Sequence, residues 1–379
     1  MLRANATDED WELLKSFFPT NWRGLAQSSG ALKGLRQDKS EENYLRILLM
    51  HLGCGFSMRE TVVRARHADL AELSDVAFLK RLRKSKDWLF ELCGALFAER
   101  EMHPEVSATL AMRLRLLDAT TIKEPGPTGS LWRVHYSFQW PTMICDYFKV
   151  TGTEGRGTGE SLQQFPINPG DFIMVDRGYC HANGIHFVAE QKAWVTVRLN
   201  PHGIILQNTN SSAFDLQSKL KPIQKTGQIA VWSVWIPGAG PTRLTARLCV
   251  VRKSQTAIAL AVKKLRRNAS KHGSELQPET LIYAEYVLVL TTFPETEFPA
   301  PVILEWYRFR WQIELIFKRF KQIAELGHLP KHDDESAKAW IYGKLFVALL
   351  TEKLIQRASA FSPWGYRLET QSALAQSLA

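Results

Sequence analysis

The chain has 379 residues, of which 45% are hydrophobic, and carries a formal net charge of +10 at pH 7. This length and apolar content allow two or three domains, each with its own core. No apolar run reaches the roughly eighteen residues of a membrane span, and the acidic first residues lack the apolar core expected of a signal peptide.

The cysteines and the charges bound the function further. The five cysteines form no Cys-x-x-Cys pair, so neither a zinc site nor a disulfide framework is expected, and a reducing cytoplasm fits best. Residues 177–280 hold 15 Lys and Arg against four Asp and Glu, which accounts for the positive surplus. Such a field suits a DNA-binding surface. A basic domain without a DNA partner is the alternative.

Residues 1–105 are predicted to be helical. ENYLRILLMHL and LSDVAFLKRLRKSKDWLFELCGALF have apolar residues at helical spacing, and SMRETVVRARHA begins with Ser57 and Glu60, the pattern of a capping box. Ser74 or Asp75 is the expected N-cap of the third helix. Successive short helices with a basic third one resemble a helix-turn-helix, so we predict an all-α DNA-binding region.

The third of these helices carries a cluster of positive charge. Five cations fall within seven residues, at Lys80, Arg81, Arg83, Lys84 and Lys86. On a helix-turn-helix they would contact phosphates or the major groove. A solvated helix face without a DNA contact is the alternative, and both interpretations stay open.

Near residue 106 the pattern changes to strands. RLRLLDATT is predicted to be a strand that ends at Asp118, and DFIMV a short apolar strand that ends at Asp176. WRVHYSFQW and TMICDYFKVTG, rich in aromatic and β-branched residues, are predicted to pair, and AWVTVRL is a further strand. Residues 205–255 are predicted to be mostly β, followed by a basic helix at TAIALAVKKLRRNASKHG and a last strand at YVLVLTTF.

The stretch WYRFRWQIELIFKRFKQ combines aromatic residues and cations with a single acid, Glu314. No Gly or Pro interrupts it, so a helix is predicted. At about 100° per residue, Tyr307, Arg310, Glu314 and Lys321 share one arc about 60° wide beside an apolar stripe. The helix is either an ordinary amphipathic one with ion pairs, or one whose carboxylate holds a metal while its cations hold phosphates.

Three acids together would favour the second interpretation. If the two predicted strands are neighbours, Asp118 and Asp176 emerge at one sheet edge, where Glu314 can approach from a helix. Three hard oxygen donors suit Mg²⁺ or Mn²⁺, and two such ions about 4 Å apart promote in-line displacement at phosphorus. Asp146 and Asp171 compete, but the first lies mid-strand and the second at a strand start.

The spacing Tyr307-x2-Arg310-x3-Glu314-x6-Lys321 matches the YREK signature of the DDE-class transposases of bacterial insertion-sequence family four. LDATTIKEPG resembles the first-aspartate block of that family and VDRGY its second. GFSMRETVVRARHADLAELSDVAFLKRLRKSKDWL resembles its N-terminal helical region. The resemblance covers roughly residues 40–355.

The resemblance implies a mixed α/β protein with an RNase H-like catalytic core that is interrupted by a β-rich insertion and preceded by the all-α region. The implied domains are a helical DNA-binding domain at 1–105, the first part of the core at 106–204, the basic insertion at 205–285, the second part of the core with the YREK helix at 286–355, and a C-terminal helical tail at 356–379.

The resemblance also implies the chemistry. Asp118, Asp176 and Glu314 would be catalytic and bind Mg²⁺, with Mn²⁺ as a substitute. The enzyme would cut DNA at terminal inverted repeats and transfer the strands to target DNA by a cut-and-paste route. It would act as a homodimer in the DNA-bound complex, in the bacterial cytoplasm and associated with the nucleoid.

Two sets of DNA contacts are implied as well. Near the cut, phosphates would be held by Tyr307, Arg310 and Lys321. An aromatic residue of the insertion would stack on a flipped base where a hairpin forms. Tyr286 stands where hairpin-forming members are expected to have a tryptophan, and Trp232 and Trp235 are alternatives.

Two other functions remain open at this point. A DNA-binding protein without catalysis, such as a repressor derived from a transposase, has no need of three convergent acids. A nuclease of the same fold acting on structured nucleic acid would use the same acids.

Overall fold

The structure is a computed structural model that describes residues 11–34, 40–101, 113–123, 131–140, 144–154, 159–239, 242–310, 329 and 333–360. The chain divides into two compact units. The helical unit comprises Met1–Ala108, Thr121–Arg133 and Ile316–Ala379, and the sheet unit comprises Thr109–Thr120 and Val134–Leu315. The prediction of a mixed α/β protein is confirmed.

The N-terminal part of the helical unit consists of helices and turns, without a strand among its described residues between 11 and 101. Three successive helices begin at a serine, Ser40, Ser57 or Ser74, whose side chain accepts a hydrogen bond from the main-chain N–H three residues on. Each cap satisfies a donor that the first helical turn leaves without a partner. The helices are Trp22–Ser28, Glu41–Leu52, Met58–His67, Asp75–Lys84 and Lys86–Glu101.

A long C-terminal helix, Asp334–Ala360, completes the described part of this unit. It packs mainly along the helix Lys86–Glu101 and also contacts Asp75–Lys84 and Glu41–Leu52. The described residues from 333 onward therefore group with the N-terminal helices, whereas the sequence assigned 286–355 to the catalytic core. Sequence periodicity does not reveal which distant helix a given apolar face covers.

The sheet unit is built on an eight-stranded sheet with the order β3-β2-β1-β4-β5-β8-β7-β6. β4 pairs in parallel with both β1 and β5, whereas β8 pairs antiparallel with β5 and β7. The strands are β1 Arg113–Lys123, β2 Leu131–Gln139, β3 Ile144–Gly152, β4 Asp171–Val175, β5 Trp194–Arg198, β6 Ile229–Pro237, β7 Arg243–Arg252 and β8 Tyr286–Thr291.

The strand predictions need two corrections. Residues 205–255 were predicted to be mostly β, but the strands there are limited to β6 and β7, and Asp215 caps a short helix, Leu216–Leu220, that precedes them. β1 does not end at Asp118 but continues to Lys123, because the residues after the aspartate, ATTIK, include two threonines and an isoleucine that suit a strand. The helices Ala182–Glu190 and Pro278–Ala284 were not predicted. The former follows β4 after a short turn and packs against the next strand, β5.

The segment predicted as a basic insertion contributes two strands to this same sheet. β6 pairs antiparallel with β7, which pairs with β8, so the three strands extend the sheet beyond β5. The basic helix is present at Gln255–His272. A continuous apolar core runs from β4 through β5 and β8 to β6 and β7. Among the described helices, none is both long and apolar enough to cross a membrane.

Candidate active site at the ends of the parallel strands

Two aspartates stand side by side where β4 ends. β1 and β4 run parallel, and their last paired residues are Leu117 and Val175. Asp118 directly follows Leu117, and Asp176 directly follows Val175. Both carboxylates therefore lie at the same edge of the sheet. The sequence left open whether the two strands are neighbours, and their parallel pairing shows that they are.

Asp118 lies in a half-buried position that disfavours its charge. Its Oδ1 accepts a hydrogen bond from the Ala119 N–H at 2.8 Å, and its carboxyl group also bonds the side chain of Tyr136. Burial raises the pKa of Asp118 from 3.8 to about 6, and the neighbouring charges of Asp176 and Glu160 act in the same direction. The opposing influences include the bond from Ala119 and the positive charge of Arg310.

Asp176 starts the turn that follows β4. Its Oδ1 accepts from the Arg177 N–H at 2.5 Å, which caps the short 3-10 turn Arg177–Tyr179. Its Oδ2 lies 3.6 Å from Nη1 of Arg310, whose side chain is only 12% exposed. Arg310, which was predicted to hold a phosphate, is thus directed at a predicted catalytic carboxylate.

Tyr307 reaches the same strand end but with its hydroxyl inside the protein. The residue is 8% exposed, and its Oη donates to the carbonyl of Val175 at 3.2 Å. Burial raises the pKa of Tyr307 well above the ordinary value of a phenol, while the main-chain N–H and the charge of Arg198 oppose this rise. The hydroxyl therefore joins the last residues of β4 and β5, and the structure does not present it as a free phosphate contact.

Arg198 and Glu160 were not predicted as site residues. Arg198 is the last residue of β5, which is parallel to β4, so it reaches the edge that carries the two aspartates. A signal was available in the sequence, since this arginine is the one charged residue of the predicted strand AWVTVRL. Glu160 lies against Gly178 so closely that any Cβ there would overlap its carboxylate. No pattern in the sequence indicated that Glu160 would lie against Gly178.

The two competing acids are occupied elsewhere. Arg115, on β1, lies with its Nε 2.9 Å from Oδ2 of Asp146 and with its Nη1 2.9 Å from Oδ2 of Asp171. The same guanidinium donates to the carbonyl of Pro166 at 2.7 Å. All three charged side chains are buried or nearly so, and together they form an ion-pair cluster in the sheet. Asp146 and Asp171 are therefore committed to Arg115.

The aromatic residue expected to stack on a base is a core residue. Tyr286 is 3% exposed. Its hydroxyl bonds the carbonyl of Ile223 at 3.1 Å and accepts from Nη1 of Arg252 at 3.0 Å. A ring enclosed in this way has no accessible face for a base. The alternatives, Trp232 and Trp235 on β6, are both half-buried, and the guanidinium of Arg243 lies 4.8 Å from the ring centroid of Trp235.

The cations of the helix Asp75–Lys84 mostly serve the helical unit itself. Arg81 donates to the carbonyls of Lys33 and Gly34, and Lys84 also donates to that of Lys33. Arg83 forms an ion pair of 2.8 Å with Asp333. Lys80 is exposed, and within the described parts of the chain no ion pair engages it. The predicted DNA contact at this helix thus retains one fully available cation.

Two predicted site residues, Glu314 and Lys321, lie outside the described residues. Within the described ranges, no three His, Cys, Asp or Glu side chains form a group that could hold a metal ion. Asp118 and Asp176 supply hard oxygen donors. Their negative charges repel each other, and a bound cation would relieve this repulsion. The donor set present thus fits part of a magnesium site.

Comparison with known proteins gives a consistent set of relatives. Residues 151–350 match the family model for the transposase DDE domain. The chain is 31% identical over 366 residues to the putative transposase InsL of insertion sequence element IS186A from Escherichia coli K12, covering 95% of this chain and 97% of that one. The transposase of IS421 from Escherichia coli is equally similar, at 31% over 367 residues with the same coverage.

A more distant group is also similar. The transposase of insertion sequence element IS231C from Bacillus thuringiensis subsp. berliner is 24% identical over 303 residues, which cover 73% of this chain and 62% of that one. The matched family range begins after Asp118 and includes Asp176, Tyr307 and Arg310.

Proposed function

This chain belongs to the family of insertion-sequence transposases with a DDE domain, and from that premise we propose that it cleaves the terminal inverted repeats of its element and transfers the freed strands to target DNA. The observation that carries this proposal is the pair Asp118 and Asp176, adjacent at parallel strand ends with Arg310 facing the second. The open mixed sheet supports an RNase H-like catalytic core.

The proposed metal-binding residues are Asp118, Asp176 and Glu314. Their oxygen atoms suit Mg²⁺, with Mn²⁺ as a substitute. If these residues held a pair of divalent ions, the ions would supply activation of the attacking hydroxyl or water and stabilisation of the leaving oxygen at phosphorus. The position of Asp118 in a setting that raises its pKa supports a site tuned to receive positive charge.

The remaining residues of the signature take different parts. Arg310 neutralises Asp176 in the free protein, and its planar guanidinium is suited to bidentate contact with a DNA phosphate at the cut. Lys321 is proposed as a second phosphate contact. Tyr307, through its bond to Val175, acts as a positioning residue that keeps the strand end beneath Asp176 in one conformation.

DNA recognition is assigned to both parts of the chain. The N-terminal helices, with Lys80 exposed beside them, are proposed to recognise the terminal repeat, and the basic residues of 205–285 to add backbone contacts. Cleavage at two ends of one element requires two active sites, so we propose a homodimer in the DNA-bound complex. No described helix is of the kind that spans a membrane, and the proposed place of action is the bacterial nucleoid.

The test is a cleavage assay on a labelled duplex that carries the inverted repeat flanking the element, in Mg²⁺, in Mn²⁺ and in EDTA. Wild-type protein should cut at the repeat boundary only with a metal, and Asp118→Asn, Asp176→Asn and Glu314→Gln should each abolish cutting while the duplex stays bound. Glu297→Gln is the matched control, because Glu297 is an exposed carboxylate of the sheet unit.

Three outcomes decide between functions. Specific binding without cutting in either metal would favour a repressor-like protein. Cutting that ignores the repeat and requires a branched or hairpin substrate would favour a nuclease. Cutting that survives any one of the three substitutions would refute the assignment of that residue.

A further inference from the structure

The helix Gln255–His272 is well formed but little covered. Its 18 residues are flanked by an N-cap, Ser254, whose side chain accepts from the Ala257 N–H, and by a C-cap, Gly273, with a left-handed φ of 60°. None of its residues is fully buried. Its half-buried apolar residues form a stripe along one side, which consists of Ile258, Ala261, Val262, Leu265 and Ala269.

The opposite side of this helix carries its cations. With Ile258 at zero and about 100° per residue, Lys263, Arg267 and Lys271 fall at about 140°, 180° and 220°. Lys264 and Arg266 flank this row, and all five side chains are exposed. We call these five residues the basic face. Because the apolar stripe points the other way, the basic face is directed at solvent.

Among the residues that the structure describes, no acidic side chain pairs with the basic face. The helix contains no Asp or Glu, and across the described ranges no ion pair or hydrogen bond joins its five cations to another side chain. Like charges three and four residues apart on a helix repel one another by a few tenths of a kcal/mol for each pair. The cations of the helix Asp75–Lys84 differ, since Arg83 and its neighbours have partners within their own unit.

We propose that the basic face binds the phosphate backbone of duplex DNA without regard to base sequence, in addition to the DNA contacts made at the cleavage site. This proposal rests on the transposase function above. The row from Lys263 to Lys271 spans eight residues, or about 12 Å, comparable to the major-groove width of about 12 Å. It therefore reaches phosphates on both sides of one groove. Each phosphate contact releases counterions and stabilises the complex at low salt.

An anionic membrane surface fits the observations less well. A helix that lies in a membrane interface inserts its apolar face into the lipid. Here the apolar stripe is directed toward the protein, and the large apolar residue most exposed on this helix is Leu260, at 69%. A single leucine among five cations is not an apolar face. DNA backbone, which needs charge and no apolar contact, is the better match.

The experiment compares the salt dependence of DNA binding in full-length variants. All carry Asp118→Asn, so that no cleavage occurs, and all meet a duplex without the terminal repeat. The neutral variant is Lys263→Gln, Arg267→Gln and Lys271→Gln; glutamine resembles both cations in helix propensity, so the helix should survive. The slope of log K against log salt should become shallower by about 2 to 3 units, at about 0.9 for each lost contact.

Two control sets distinguish an effect of the basic face from a general effect of removing positive charge. Arg113→Gln, Lys149→Gln and Lys192→Gln remove three exposed cations from the same unit but outside 205–285, and should leave the slope nearly unchanged. Lys263→Arg, Arg267→Lys and Lys271→Arg preserve the charge and should preserve the slope. An equal change in the Arg113 control set, or an unchanged slope in the neutral variant, would overturn the proposal. So would a loss confined to binding of vesicles with anionic lipid.

The result is separable from that of the cleavage assay. If the neutral variant with Asp118 restored still cuts the repeat and keeps its salt slope, the basic face has no DNA role and the transposase function stands. If the slope changes as expected while wild-type protein never cuts, the helix binds DNA but the catalytic proposal fails.

Discussion

The phenol of Tyr307 donates a hydrogen bond of 3.2 Å to the main-chain carbonyl of Val175, the residue immediately before Asp176. The two partners are 132 positions apart in the chain. The bond links the helix Ala300–Phe309 to the end of β4, where the predicted catalytic carboxylate begins its turn. A residue that the family signature associates with DNA phosphate here supports the protein backbone beneath the site.

Replacing Tyr307 with phenylalanine tests this support. The change leaves a buried carbonyl without its donor, so the free energy of unfolding should fall by about 1 kcal/mol, measured by urea denaturation. Repeat cleavage should slow while the Kd for the duplex changes little. Tyr283→Phe is the control, because Tyr283 is a half-buried tyrosine of the same unit, and its effect should stay within about 0.5 kcal/mol. Weakened DNA binding without a stability loss would indicate a phosphate contact instead.

The raised pKa of Asp118 predicts a pH effect in metal-free protein. The folded state holds this proton up to about pH 6, whereas an unfolded aspartate loses it near 3.8. The contribution of this carboxyl group to the free energy of unfolding is therefore fully present below about pH 4 and is lost as the pH rises through about 6. At pH 7 in EDTA, Asp118→Asn should be more stable than wild type by up to about 3 kcal/mol, at about 1.4 kcal/mol for each pKa unit.

The measurement is a series of urea denaturation curves from pH 4 to 8 for both proteins, and the difference between them isolates Asp118. Added Mg²⁺ should then stabilise the wild type more than the variant, because the variant lacks one proposed ligand. A difference that does not change with pH would contradict the raised pKa.

Arg115 and Arg113 offer a matched pair on β1. Arg115→Met leaves the buried carboxylates of Asp146 and Asp171 without their shared cation, and such a loss costs about 3 to 5 kcal/mol. Arg113 lies 3.6 Å from Asp171 with its side chain 53% exposed, so Arg113→Met should cost less than about 1 kcal/mol. Equal effects in thermal unfolding would mean that burial does not govern this cluster.

Gly343 lets the C-terminal helix lie close to the helix Glu41–Leu52. A Cβ at this position would overlap the side chain of Leu52, so Gly343→Ala should destabilise by about 1 to 3 kcal/mol. Leu52→Ala, at a fully buried position, should cost about 2 to 5 kcal/mol. The double variant should lose less than the sum, because the truncated leucine vacates the space that the new methyl group occupies.

Gly94→Ala is the control for the double-variant cycle. Gly94 also lies within a helix, but a Cβ there meets nothing within 4 Å, so alanine should raise stability by up to about 1 kcal/mol through helix propensity. Additive losses at Gly343 and Leu52 would show that the two helices do not meet as described.

Local features of this protein followed from local sequence. The serine caps at Ser57 and Ser74 were predictable because a capping side chain and the main-chain N–H that donates to it lie only three residues apart. The strands that lead to Asp118 and Asp176 were predictable from short apolar runs. Their adjacency was not, because no local pattern says which strands become neighbours in the sheet. The continuation of β1 to Lys123 was missed, because no Gly, Pro or other break marks where pairing ends.

What the tertiary structure decided was the partner of each polar group. Arg83 pairs with Asp333 across 250 positions, and Tyr286 and Tyr307 bury their hydroxyls against carbonyls that no local pattern identifies. A cation or a phenol looks the same in sequence whether it awaits DNA or already has a bond within the fold. Periodicity records which face of a segment is apolar, whereas the choice between an internal partner and an external one depends on which distant segments the folded chain brings within about 3 Å.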